Sequence, residues 1–444
     1  MTFRKNGSKE CNWRKPVLTA LFFLSGSKVL ACLKDIKRFE TFDKKQMRTF
    51  QEEMLERLLN HAYAQVPYYR KVFTQYGIVR HGKIYPDRFS EIPLLTKDVI
   101  IKHEAYLHAK ASVSGRYRNT SGGSTGEPVE ILQDANYTDW NNANKIYQTF
   151  ITGKKLGDPE IKLWGSERDI LEGTLGLKER LINFFYNRTF LNAFRASEED
   201  FEKWLMTFNL VRPAYVWAYV DSIVEFAKYV QRNGTFVCPP GCIVTTAGVL
   251  TAQARTFVEE MFHAPVYNQY GSREVGSVAI ECPYKTGLHI CDWSHYVEIV
   301  EGRIITTLLT NYTMPLIRYD IGDTGSIADG ICPCGRPTSR LASVTGRTTD
   351  HFLCRDGTRI HGEFFTHLFY FKQWVRRFKV IQQDYDRIQC FVVTRSDPKP
   401  EDLEQIRKSI LSVMGQSCVV QFSFCDQIPP SQSGKYLYTE CAIK

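Results

Sequence analysis

The chain has 444 residues, 43% hydrophobic and 24% charged, an ordinary globular composition with material for one large domain and a small one. Its 57 basic and 48 acidic residues leave a net charge of +9; this mild excess suits anionic ligands such as nucleotides, and with no dense Lys/Arg tract it argues against nucleic-acid binding. The 13 cysteines, an odd number without framework spacing, argue against a disulfide-stapled secreted fold and favour a reducing, cytoplasmic compartment with free thiols.

The first candidate element is "KPVLTALFFLSGSKVLACLK", whose unbroken apolar stretch runs only from Ala20 to Leu24. That is too short to span a bilayer; an amphipathic helix, packed on the body or resting on a membrane surface, fits its pattern. Residues 35–80 read as helices, with Met54, Leu58, Leu59 and Ala62 at helical spacing and Pro67 interrupting them. "SEIPLLTKDVI" connects to a further helix, and Val129–Leu132 reads as a strand. Between about 160 and 320 strands and helices alternate, from "IKLWG" through "AYVWAY" and "CIVTTAG" to "PVYNQYG", which predicts an α/β fold with a mainly parallel sheet. "YVEIVEGRIITTLLT" reads as a hairpin turning at Glu301-Gly302. Beyond "GRTTD" the strands "RRFKVIQQ", "RIQCFVVTR" and "CVVQFSF" and a helix near 400–414 form an α+β unit. The expected organisation is a large domain over 1–345 with a helical, basic first 80 residues, a hinge at 346–350, and a small mobile domain over 351–444.

Five motifs carry chemistry. Ser121, Gly122, Gly123, Ser124, Thr125 and Gly126 precede the first of the strands. Glycines free the backbone N–H groups to converge on an anion and the hydroxyls add donors, although taken alone the stretch suits a surface turn better. It is no Walker A loop, because Glu127 and Pro128 follow Gly126. "YNQYGSREVG" supplies Tyr270, able to stack on a flat base, and Glu274, a hard oxygen ligand for Mg²⁺. "PLIRYDIGD" ends on Asp323, whose carboxylate suits the two hydroxyls of a ribose. "GRTTD" supplies Arg347, a fork for phosphate or ribose oxygen, and "PPSQSGKYLYTE" supplies Lys435, a compact cation beside Gly434.

In this order the motifs resemble those of the adenylate-forming acyl ligases. "LLNHAYAQVPYYRKVF", "IPLLTKDVI", "MPLIRYDIGD" and the missing Lys after "TGEP" are most similar to the phenylacetate–CoA ligase family, including its branch linked to capsular polysaccharide synthesis. The resemblance covers roughly residues 40–440. It implies activation of a carboxylic acid by ATP as acyl-AMP, with pyrophosphate released, and transfer of the acyl group to a thiol such as CoA or to an amine or amino sugar. It further implies that the Ser121–Gly126 loop holds the β- and γ-phosphates, Tyr270 stacks on adenine, Glu274 binds Mg²⁺, Asp323 holds the ribose and Arg347 contacts the nucleotide. Lys435 would offset charge on the α-phosphate and leave the site as the small domain rotates. A catalytically silent nucleotide sensor is the remaining reading, against which stand Glu274 and Lys435, since binding alone needs neither. Two positions depart from the family: the hinge carries only Asp350, and Gly248 stands where relatives often have Glu.

Cys282 and His289 in "CPYKTGLH", with Cys332 and Cys334 in "CPCGR", match the inventory of a closed structural Zn²⁺ site, with Cys291 as the substitute ligand. The alternative is four independent groups, because free Cys is often simply buried. Trp140, Trp217 and Tyr219 are candidate walls for an acyl pocket.

Overall fold

Val266–Ser272 is the strand on which the architecture turns. It pairs in parallel with Ile243–Thr246 on one side and antiparallel with Gly276–Glu281 on the other, and so joins two halves of an 11-stranded sheet. These features come from a computed structural model, which describes residues 13–111, 115–120, 129–165, 177–345, 351–370, 372, 374–428 and 438–443.

Outward from Ile243–Thr246, the parallel half continues through Tyr215–Tyr219, Glu160–Trp164 and Arg188–Asn192. Because successive side chains of a strand point to opposite faces, Ile161, Leu163, Val216 and Ala218 enter one core while Tyr215 and Val244 enter another. On the first face pack the helices Glu198–Val211, Val220–Asn233 and Ala252–Phe262, through Phe201, Phe208, Phe226 and Phe262. The helix Ala135–Ile151 covers the second through Ile146, Tyr147 and Ile151. Its cap, Asp134, is fully buried: Oδ1 accepts from the Tyr137 N–H (2.9 Å), and Oδ2 from the N–H groups of Tyr312 (2.9 Å) and Thr313 (3.0 Å).

The expected parallel order stops at the junction strand. From there the sheet runs through Gly276–Glu281, Leu288–Ile290, Arg340–Thr345, Tyr319–Ile327, Arg303–Leu308 and His295–Val300, every pair antiparallel. Parallel neighbours need a crossover of a dozen or more residues, and the loops at 273–275, 282–287 and 301–302 are too short for one. Glu301 and Gly302 at one such turn both take positive φ (51° and 77°), the signature of a two-residue hairpin with a type I′ turn.

The C-terminal unit has its own sheet, ordered Val419–Phe424, Arg387–Thr394, Val375–Asp384, Thr439–Cys441, covered by the helices Gly362–Tyr370 and Pro400–Met414. It begins earlier than the strand pattern predicts, with the hairpin His351–Leu353 and Arg359–His361 ahead of "RRFKVIQQ". Strands of three residues show too little alternation to be read from sequence. Arg359–His361 also pairs with Arg195–Ala196 of the large domain, and one hydrophobic core runs from Val216 and Phe226 through Phe352 and Phe364 to Ile410. In this arrangement the C-terminal unit is packed onto the parallel half.

At the N-terminus the helices Arg14–Leu24 and Val29–Phe39 meet at a bend of 112°, and no single helix among the described residues is long and apolar enough to cross a membrane. The second helix buries Val29, Cys32, Ile36 and Phe39. The first buries Leu18 and leaves Phe23 and Leu24 78% and 79% exposed. Trp13 at its start packs on Phe184, ring centroids 6.0 Å apart, and Phe184 and Leu181 are themselves exposed.

Candidate active site

Three of the sequence-chosen residues come together where the junction strand ends. The ladder shifts register between Tyr270 and Gly271, a bulge of the kind that re-aims a side chain. The buried Tyr270 hydroxyl donates to Asp323 Oδ2 at 2.9 Å. Asp323 stands on Tyr319–Ile327, and the Tyr319 hydroxyl of the same strand donates to Glu274 Oε1 at 3.3 Å. The turn between the junction strand and the next admits no bulk. A Cβ on Gly271 would lie 2.4 Å from the Gly276 carbonyl oxygen, and one on Gly276, whose φ is +79°, would lie 2.5 Å from Asn141 Oδ1. Close approach thus requires both glycines.

Glu274 has a partner that sequence reasoning missed. Lys97 Nζ lies 3.6 Å from its Oε1, with both side chains almost wholly buried. Lys97 sits at the start of the helix Lys97–His103, capped by Thr96, within the "IPLLTKDVI" stretch that reads only as a connection. Its membership of a motif was the available signal.

The strands Tyr117–Thr120 and Glu130–Gln133 pair antiparallel, Thr120 opposite Glu130. Gln133 Nε2 donates to the carbonyls of Arg273 and Glu274, each at 3.1 Å, and Asn119 Nδ2 to that of Arg273 at 3.1 Å. Both flanks of the Ser121–Gly126 stretch are therefore bolted to the backbone that carries Glu274. Ser121–Gly126, Arg347 and Lys435 themselves lie outside the described residues.

Two to three strands away in the sheet, about 10–14 Å at ordinary strand spacing, the parallel strands end in an aromatic wall. Trp164 packs on Trp217 and Tyr219 with ring centroids 5.1 and 4.6 Å apart. Lys162 Nζ lies 4.3 Å over Trp164 and 4.7 Å over Trp217; burial, then Arg188 and Lys145, hold its pKa well below the usual lysine value. Trp140 belongs to the same core as Trp217. A Cβ on Gly248 would touch Val220 at 3.0 Å.

The second assembly lies on the antiparallel half. One ligand atom from each of Cys282, His289, Cys332 and Cys334 falls within 4.8 Å of the others. Cys282 Sγ and Cys332 Sγ are 3.6 Å apart, Cys334 Sγ and His289 Nε2 3.4 Å. With Zn–S near 2.3 Å and Zn–N near 2.0–2.1 Å, a tetrahedron has edges of about 3.8 and 3.5 Å, so the four groups fit one such ion. Thr338 Oγ1, 2.8 Å from His289 Nδ1, aims the other nitrogen at the thiols, as outer partners of metal-bound imidazoles do. Burial, with Arg336 and Arg340, brings His289 down to about 4, which leaves it neutral and able to ligate. Burial pushes Cys282 up to about 12. At Cys332 burial also raises, but hydrogen bonds from Thr286, Cys334 and Cys282 outweigh it and bring the thiol to about 7. Cys291, the expected substitute, is not in this set; it accepts from Gln148 Nε2 at 3.6 Å.

Solved structures share the fold. One of 2-hydroxyisobutyryl-CoA ligase in complex with 2-HIB-AMP and CoA superposes with a TM-score of 0.57 over 91% of this chain and 92% of that one, at 15% identity. The fold is that of an adenylate-forming ligase. The homologues of this ligase-fold chain include Protein CapK of Staphylococcus aureus, 22% identical over 414 residues and 89% of each chain. They also include a phenylacetate-coenzyme A ligase of Thermus thermophilus, 25% identical over 342 residues, 71% of this chain and 74% of the relative. Residues 352–440 match the family model of the CapK C-terminal domain.

Proposed function

We propose that the protein activates a carboxylic acid with ATP and transfers the acyl group to CoA. The observation that carries this reading is the meeting of Tyr270, Asp323 and Glu274 at the end of the junction strand, with both flanks of the Ser121–Gly126 stretch hydrogen-bonded to the same turn. A carboxylate oxygen attacks the α-phosphorus of ATP, the bond to the bridging oxygen breaks, and pyrophosphate leaves with that electron pair. The CoA sulfur, its proton passing to solvent, then adds to the acyl carbonyl and AMP departs. Tyr270 presents its ring to the base and Asp323 accepts from the ribose. Glu274 would hold Mg²⁺, which offsets phosphate charge when bound, and the loop N–H groups and hydroxyls take the remaining phosphate oxygens. Lys435, and Arg347 at the hinge, act on the nucleotide from the mobile C-terminal unit; stabilising charge that develops in the transition state is the larger catalytic contribution. The Trp164–Trp217–Tyr219 wall supports an aryl acid. Cys282, His289, Cys332 and Cys334 would hold one structural Zn²⁺.

ATP–pyrophosphate exchange tests the assignment, across aryl, alkyl and doubly anionic acids, in wild type and Lys435→Ala. Exchange with one acid class, reduced about 10²–10³-fold in the variant, is the expected result. Bound ATP without exchange for any acid would turn the reading toward a nucleotide sensor.

A second reading keeps the adenylation and passes the acyl group to an amine or amino sugar in surface-polysaccharide assembly. What favours it is the exposed edge of Leu21, Phe23 and Leu24 beside Leu181 and Phe184, a surface suited to peripheral membrane contact. Co-sedimentation with anionic lipid vesicles, abolished in Phe23→Ser/Leu24→Ser, is expected; binding unchanged in that variant would remove the contact.

A further inference from the structure

Outside both assemblies, the first hairpin of the C-terminal unit brings two histidines face to face. His351 and His361 are cross-strand partners, with ring centroids 4.9 Å apart and planes at 88°. Asp221, in the first turn of the large-domain helix Val220–Asn233, meets them there. A carboxylate oxygen of Asp221 and one nitrogen from each imidazole lie within 4.8 Å of one another. We propose that Asp221, His351 and His361 form a second divalent-cation site, of zinc type, that joins the C-terminal unit to the large domain.

The donor set is that of an open zinc site: two imidazoles and a carboxylate, with a fourth position for water. Ligand atoms at 2.0–2.2 Å from a tetrahedral ion stand about 3.4 Å apart, so the three groups reach bonding distance by closing on the ion by roughly an ångström. His361 is held ready for this. Its ring stacks on Tyr219 at 5.2 Å and 23° and on Phe194 at 6.2 Å and 24°, and its backbone N–H donates to the Phe194 carbonyl at 2.9 Å. Asp221 is only half-buried, which leaves an entry path. The other acid of this helix face, Glu225, is engaged by Lys228 at 2.8 Å and by Arg359 at 3.2 Å. Among the charged groups nearby, Asp221 is therefore the carboxylate that faces the imidazoles.

Two ligands on one unit and one on the other make the ion a bolt. An ion bound only in the joined arrangement favours it by mass action. Joining does not depend on the adenylation reading; if that reading holds as well, occupancy of this site slows the rotation that separates the two half-reactions.

The test is calorimetric titration of the full-length chain, already carrying one zinc, with Zn²⁺ alone. Wild type is expected to take a second equivalent, absent from both Asp221→Asn and His351→Ala, while each variant keeps the first and so reports its own folding. Co²⁺ in the second site should show d–d bands without the sulfur charge-transfer band of the cysteine site. With zinc at ten times its Kd, hydrogen exchange at the backbone of 359–361 should slow about tenfold. No second equivalent in wild type, or one that survives in both variants, overturns the site. A second equivalent that leaves exchange at 359–361 unchanged overturns the joining.

Discussion

The cluster around Glu274 and the quartet around Cys332 are both buried polar assemblies on one sheet, satisfied in opposite ways. Around Glu274 the groups already serve one another: Tyr270 holds Asp323, and Lys97 and Tyr319 hold Glu274. In the quartet three thiols and an imidazole face one another, soft donors whose common partner can only be a cation or their own protons. An assembly whose carboxylates already have protein partners is one whose groups can trade them when a ligand arrives and recover them when it leaves, as turnover requires. An assembly of donors alone holds one partner throughout. On the roles proposed above, the contrast separates reactive from structural polarity more cleanly than burial, which the two share.

The largest effect expected is at the quartet. Cys332→Ser should abolish zinc in the purified protein, and wild type treated with a chelator should unfold like the variant. An ion present at a thousand times its Kd contributes about 4 kcal/mol to the folded state, so both should lose stability on that scale in denaturant titrations. The pH dependence has a definite sign. Burial holds the Cys282 thiol up to about 12, so the apo site carries that proton at neutral pH and zinc must displace it. Affinity therefore weakens as pH falls, and calorimetry in buffers of different ionisation heat should detect proton release. Wild type without zinc, indifferent to chelator, would erase the contrast.

The same contrast explains what sequence could show. Cys282 and His289, and Cys332 and Cys334, are pairs at local spacing, and the hairpin between them folds back; the quartet was legible in short motifs. Tyr270, Glu274 and Asp323 were legible for the same reason, each inside its own short motif: Tyr270 in the junction strand, Glu274 in the turn after it and Asp323 midway along Tyr319–Ile327. Lys97 was not, because it reaches Glu274 from a helix 177 positions earlier in the chain, and only tertiary packing brings them together. Asp221 and His351 are 130 positions apart and share no motif. The alternation of strands and helices gave the parallel half of the sheet. That order holds through Val266–Ser272, which pairs in parallel with Ile243–Thr246, and the hairpin at Glu301-Gly302 belongs to the antiparallel half; three-residue strands such as Arg359–His361 fall below what alternation can reveal.

A smaller effect sharpens the division on the other side. Tyr270→Phe keeps the ring that would stack on adenine and removes the hydroxyl that donates to Asp323 at 2.9 Å. An ionised carboxylate has about four acceptor positions, so one tyrosine leaves room for ribose hydroxyls, and the bond orients Asp323 without occupying it. Loss of one such bond costs about 1 kcal/mol, which corresponds to roughly a fivefold rise in the KM for ATP. The maximal exchange rate should hold steady, because Lys435 and Glu274 remain. A fall in KM would mean that the tyrosine and the ribose compete for the same lone pairs. Tyr270 would then join Lys97 among the partners that must be given up, and the cluster would be reactive in all its members instead of held rigid at one side.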